Sequence, residues 1–99
     1  MLKEFFAGFI KLHIVYHAAQ APVFGLDLIR ELARHGYDLS PGTLYPTLHK
    51  LEQTGFLRCE DKVVNGKIRK YYVATPLGKK ALKEARAKIT ELVSEIIDE

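Results

Sequence analysis

His13 and His17 stand four residues apart, a spacing that puts both imidazoles on one helix face and can begin a metal site. No third or fourth ligand can be named from the sequence around them. A histidine pair packed in a core or an interface is therefore the preferred reading, and no metal or cofactor is expected. Cys59, the single cysteine, excludes an internal disulfide and a cysteine-based zinc cluster. It alternates inward on a strand and reads as a buried, inert thiol. Gly78-Lys79-Lys80 lacks the glycine five residues earlier, where Val73 stands, and the following Ser or Thr, so it is not a phosphate loop. There is no Ser/His/Asp arrangement and no carboxylate pair in an apolar setting. An enzyme is not expected. The charge pattern is more informative. The whole chain carries only +3, but residues 58–83 hold eight basic and two acidic side chains. Lys62, Lys67 and Arg69 lie in that stretch, and the chemistry open to them is neutralising an anionic partner such as a phosphate backbone.

Periodicity shows what must position these residues. The chain has 99 residues, 47% hydrophobic and 27% charged, enough for one small domain and one core. Residues 2–19 read as a helix, with Leu2, Phe5, Phe6, Phe9, Ile10, Leu12, His13 and Tyr16 recurring at spacings of three and four. It is greasy on more than one side, which suggests that part of it faces another chain. Its longest apolar run is too short to span a bilayer and lacks a signal-peptide cleavage site, so a cytoplasmic protein is expected. Gln20 to Phe24 reads as a loop. A second helix, 25–35, turns Leu28, Ile29 and Leu32 inward. His35 suits its negative end and Gly36 stops it.

The third helix, 40–54, has Ser40 as N-cap and Pro41 at the first helical position. Leu44, Leu48 and Leu51 form its buried stripe, and Gly55 ends it. The opposite face holds Gly42, Pro46 and Gln53, with Thr43, His49 and Lys50 at its edges and no acidic residue. Tyr45 lies beside the stripe. From Phe56 the period changes to two. Asn65-Gly66 predicts a type I′ turn pairing Val64 with Lys67, Val63 with Ile68, Lys62 with Arg69, and Asp61 with Lys70. One face of this hairpin (57–73) is apolar, with Leu57, Cys59, Val63, Ile68 and Tyr72. The other carries Arg58, Lys62, Lys67 and Arg69. Thr75-Pro76 opens a last helix to about Ile97, in which Leu82, Ala85, Ile89, Leu92 and Ile96 step at heptad a/d spacing and Val93 widens the stripe. Such a helix is about 33 Å long at 1.5 Å per residue, longer than a domain roughly 25 Å across. It would overhang, and a second copy of itself is the simplest partner. Phe5 and Phe9 join the same dimerisation surface.

Three helices, a hairpin and a long helix give a mainly α fold with a two-stranded β wing, in α+β class: a winged helix-turn-helix. Residues 1–75 would form the DNA-binding part and 76–99 the dimerisation helix, as one structural unit. Ser40, Gly42, Thr43, Tyr45, Pro46, His49 and Lys50 would meet the major groove of double-stranded DNA, and Lys62, Lys67 and Arg69 its backbone. The alternative is a winged-helix protein–protein interaction module without sequence-specific DNA binding, since fold alone does not set function.

The run LSPGTLYPTLHKLEQTGFL (39–57) followed by GKIRKYYVATPLGKKAL (66–82) resembles the PadR family of transcriptional regulators. The match is carried by Gly42, Thr43, Leu44, Tyr45, Pro46, Leu48, Leu51, Glu52, Gly55, Tyr71, Tyr72, Thr75 and Gly78, with Phe24-Gly25 and Leu28-Ile29 at the second-helix start. It covers about residues 5–85; Lys70 is a minor departure. A single long helix after the wing places the chain with the short subgroup. The resemblance implies a homodimeric, repressor-type regulator that binds an inverted-repeat operator and is released by a small hydrophobic or phenolic effector. The chain has no Trp. Stacking on such a compound would fall to Phe5, Phe9 or Tyr16, for which ordinary dimer packing is the competing role.

Overall fold

Leucine spacing, two proline-started helices and one Asn-Gly turn account for most of the architecture. A computed structural model describes residues 2–98. The order is α1 (Leu2–Gln20), β1 (Val23–Phe24), α2 (Gly25–Arg34), α3 (Pro41–Gln53), β2 (Leu57–Val64), β3 (Lys67–Ala74) and α4 (Pro76–Ile97). The fold is mainly α with a β wing, as expected.

The core collects Ile14, Val15 and Ala18 from α1, Leu28 and Leu32 from α2, and Leu44, Leu48 and Leu51 from α3. Leu57, Tyr72 and Ala74 complete it from the base of the wing. Each fully buried leucine or isoleucine among them stabilises the fold by roughly 1.5–3 kcal/mol relative to exposure. The core draws on only the second half of α1, whose first half projects with Leu2, Phe5, Phe6 and Phe9 exposed. From α4 only Gly78 is buried, and Leu82 packs half-buried against the core.

The two proline-started helices are held differently. Thr75 caps α4 through its hydroxyl, which accepts from the Gly78 amide at 3.0 Å and donates to the Gly55 carbonyl. Ser40 occupies the N-cap position of α3 with extended backbone, but its side chain makes no cap hydrogen bond. Its hydroxyl lies 3.3 Å from that of Thr43 instead. Pro46 sits inside α3 and has no N–H to give the Gly42 carbonyl, and the next residue, Thr47, donates its hydroxyl to the Thr43 carbonyl at 3.1 Å.

The hairpin register is the one the turn predicts, from Leu57 opposite Ala74 to Val64 opposite Lys67. Asn65 and Gly66 both have positive φ, 53° and 77°, as a type I′ turn needs. One expectation requires correction. Residues 20–24 are not all loop: Val23 and Phe24 pair antiparallel with Tyr72 and Tyr71, giving a three-stranded sheet in the order β1-β3-β2. Two residues are too few to show alternation, and their partner lies far along the chain. The apolar face of the hairpin is covered only at its base. Val63 and Ile68, near the tip, are exposed, at 74% and 71%.

Candidate nucleic-acid interface

The leucine stripe seats α3 so that its opposite face points to solvent. Ser40, Gly42, Thr43, Pro46, His49 and Lys50 are all exposed, and the first turn carries no acidic residue. Tyr45 is different. Its ring is half-buried and its hydroxyl lies against the start of α2, where a Cβ on Gly25 would stand 2.6 Å from it. Gly25 is therefore required by close approach, and Tyr45 fixes how α3 sits on α2.

On the outer face of the wing, Lys62 and Arg69 are cross-strand partners. The Lys62 ammonium lies 5.1 Å from the Tyr71 ring centroid, and the Arg69 guanidinium 5.0 Å from that of Phe24. The two rings are themselves 5.8 Å apart, side by side across β1 and β3. Each contact contributes about 0.5–1 kcal/mol at such exposure, but it also holds a flexible cation in one place. Nothing in the local sequence signals this aromatic platform, because Phe24 is a strand residue only through its distant partner Tyr71. Lys67 is exposed beside the turn. Arg58 is less available than expected: Glu60, on the same face, holds its guanidinium at 2.8 Å. A continuous path of contacts thus runs from the wing through Tyr71 and Phe24 to Gly25 and Tyr45. It joins the wing to the helix that carries Thr43 and His49.

The predicted dimerisation residues lie on a second, unlike surface. Phe5 and Phe9 of α1, and Ile89, Leu92, Val93 and Ile96 of α4, are exposed, while Leu82 and Ala85 are half-buried. Between the two helices runs a groove of about 600 Å³, lined by Leu12, Tyr16, Leu82 and Ile89 among others. A neighbouring hollow of about 380 Å³ includes Phe9 and Tyr16. Phe5 lines neither.

A family model described as "Transcriptional regulator PadR-like family" matches residues 14–84. The chain belongs to the PadR-like family of transcriptional regulators. It is 50% identical over 96 residues to the transcriptional regulator Rv3488 of Mycobacterium tuberculosis, covering 97% of this chain and 90% of that protein. Among solved structures, a PadR-like transcription factor from Bacteroides fragilis superposes with a TM-score of 0.83 at 28% identity, over 97% of this chain and 94% of that one. A PadR family regulator from Eggerthella lenta gives 0.83 at 31% identity, over 99% and 87%. The resemblance read from residues 39–57 and 66–82 is thus correct at the level of family and fold. The PadR motif residues acquire physical roles here: Gly25 admits Tyr45, while Thr75 and Gly78 bolt α4 to the end of α3. No helix among the described residues is long and apolar enough to cross a membrane.

Two further groups complete the electrostatics of this PadR-family chain. Burial pushes the Cys59 thiol up from its ordinary value, and burial pushes the neighbouring Tyr72 hydroxyl up to about 12. A thiol held protonated is a poor nucleophile, which agrees with an inert Cys59. Between α1 and the end of α2, His13 and His17 are not merely a pair. His35, which caps the C-terminal end of α2, stacks on His13 with ring centroids 4.6 Å apart. Desolvation, then the nearby His35 and His17, lower the pKa of His13. Nothing in the local sequence signals this third histidine, which comes from how α2 packs on α1.

Proposed function

We propose that this PadR-family regulator works in the cytoplasm as a homodimeric repressor on an inverted-repeat operator. In this reading α3 enters the major groove of double-stranded DNA, and the wing lies on the phosphate backbone. The observation that carries it is the pairing of an acid-free exposed α3 face with wing cations seated on aromatic rings. Thr43, Pro46, His49 and Lys50 supply groups for base edges, and small residues at the start of α3 let the helix approach closely. Ser40 and Gly42 offer backbone amides to a phosphate, and Tyr45 brings its hydroxyl to the start of α2. Lys62, Lys67 and Arg69 neutralise phosphates.

Residues 1–75 would do the reading and 76–99 the pairing. The exposed stripes on α1 and α4 support a dimer: Phe5, Phe9, Leu82, Ala85, Ile89, Leu92, Val93 and Ile96 would be covered by a second copy. A two-fold dimer presents two α3 helices, hence an inverted repeat with half-sites one DNA turn, about 34 Å, or a multiple apart. The groove beside Tyr16, with Phe9 and Phe5 near the dimer surface, suits a small hydrophobic or phenolic effector that would release the DNA.

The test is selection of bound duplexes from a random pool, followed by fluorescence anisotropy at several salt concentrations. One inverted repeat should emerge, with log affinity falling linearly in log salt as counterions are released. A purified dimer that selects no repeat and binds DNA independently of salt would overturn the reading in favour of a protein-interaction module.

A further inference from the structure

His13 and His17 lie one turn apart on α1, and His35 ends α2. Their donor nitrogens come within 4.8 Å of one another, although His35 is separated from the other two by the whole of α2. We propose that His13, His17 and His35 form a binding site for a divalent transition-metal ion of the Zn2+ class. Three neutral imidazoles are a donor set that such ions favour over Ca2+ or Mg2+, which take oxygen ligands. Tetrahedral Zn2+ with bonds of about 2.0–2.1 Å needs donors roughly 3.4 Å apart, so modest rotation of the side chains closes the site. The fourth position falls to water or to Glu31, whose carboxylate stands 3.9 Å from His17 Nε2.

Three features of the surroundings suit a cation. The rings are already packed face to face, His13 on His35 at 4.6 Å and His13 near His17 at 6.5 Å, so little ordering remains on binding. His35 sits at the C-terminal end of α2, where the helix dipole is negative. It is also exposed, which gives the ion a path from solvent, while His13 and His17 are half-buried. Packing alone has no need of three imidazoles at one point, where any two protonated rings repel. A bound ion would clamp α1 to the end of α2 and so fix the angle between the helix with the apolar face and the one that seats α3. The site does not depend on the DNA-binding reading.

The experiment is calorimetric titration of untagged, chelator-stripped full chain with ZnCl2, repeated with Co2+ to read its visible d–d absorption. Wild type should bind a single Zn2+ per chain and give Co2+ bands of nitrogen-rich four-coordination. His13→Gln, His17→Gln and His35→Gln should each weaken binding at least tenfold and abolish those bands. Circular dichroism of the stripped variants reports folding. If the half-buried His13 variant unfolds, the exposed His35→Gln decides the matter. No saturable binding by wild type, or binding unchanged in a folded His35→Gln, overturns the proposal.

Discussion

Leu44, Leu48 and Leu51 on α3 and Ile89, Leu92, Val93 and Ile96 on α4 follow the same helical spacing and meet opposite fates. The α3 set is 0–5% exposed, whereas the α4 set is 42–67% exposed. Beneath α3 lie α2 and the base of the wing; beneath the second half of α4 the described residues supply nothing comparable. The molecule extends 56 × 28 × 20 Å, as an overhanging helix demands. Periodicity therefore tells which face of a helix is apolar, but not what covers it. The difference also separates two kinds of recognition. The outer face of α3 is polar and suits hydrogen-bonded readout; the α1/α4 face is apolar and suits burial against a like surface.

The strongest way to break this comparison is to cut the joint between its two halves. A Cβ at Gly78 would stand 2.1 Å from the Phe56 carbonyl oxygen, a backbone atom with no rotamer to escape into. Gly78→Ala should destabilise the fold by about 3 kcal/mol, the upper part of the range for overpacking, and lower the thermal midpoint of the whole domain. Urea unfolding measures it. A change near zero would mean that α4 is not seated through this contact. Next in size is the apolar face itself. Ile89→Glu with Leu92→Glu places two charges in the proposed dimer contact and should weaken the dimer at least 100-fold, about 2.7 kcal/mol. Light scattering after size exclusion reads the mass. The core, which contains neither residue, should stay folded.

The contrast also explains what could be read from the sequence. The α3 boundaries and the hairpin register were legible because Ser40-Pro41, Gly55 and Asn65-Gly66 act within a few residues of themselves. The exposed stripe on α4 was legible too, from spacing and helix length. Features set by distant packing were not. Phe24 becomes a strand only because β3 arrives beside it, and the platform under Arg69 follows from that. Gly25 is explained only once Tyr45 lies on it. His35 joins His13 and His17 through the packing of α2 on α1. Arg58 is on the basic face by alternation, but so is Glu60, which ties its guanidinium.

In the proposed DNA-binding reading, Thr43 and Lys67 divide specificity from affinity. Thr43→Ala should change discrimination between operator variants by about 1–3 kcal/mol at one position and leave non-specific binding intact. Lys67→Ala should weaken all sequences alike and lower the salt slope by about 1. Anisotropy on matched and mismatched duplexes across salt concentrations separates them. Identical discrimination by Thr43→Ala and wild type would remove α3 from base readout.

The smallest expected effect comes from the place where the wing passes from covered to uncovered. Cys59 and Tyr72 are cross-strand partners at the base, whereas Val63 and Ile68 form the next inward pair but one, near the tip, and are exposed. Burial raises both acid groups, Tyr72 to about 12. The fold therefore favours their neutral forms, and the unfolded chain gives up its protons first. The stabilisation is complete below the unfolded values and is lost as pH climbs above about 10 towards the folded value of Tyr72. Tyr72→Phe should thus flatten the decline in thermal midpoint on the alkaline side relative to wild type. At neutral pH the Cys59 thiol should react with a disulfide reagent several-fold more slowly than in urea. A Cys59 that reacts equally fast in the folded protein would mean that the base of the wing opens as readily as its tip, and that the line between the covered and uncovered halves of the sheet lies closer to α3.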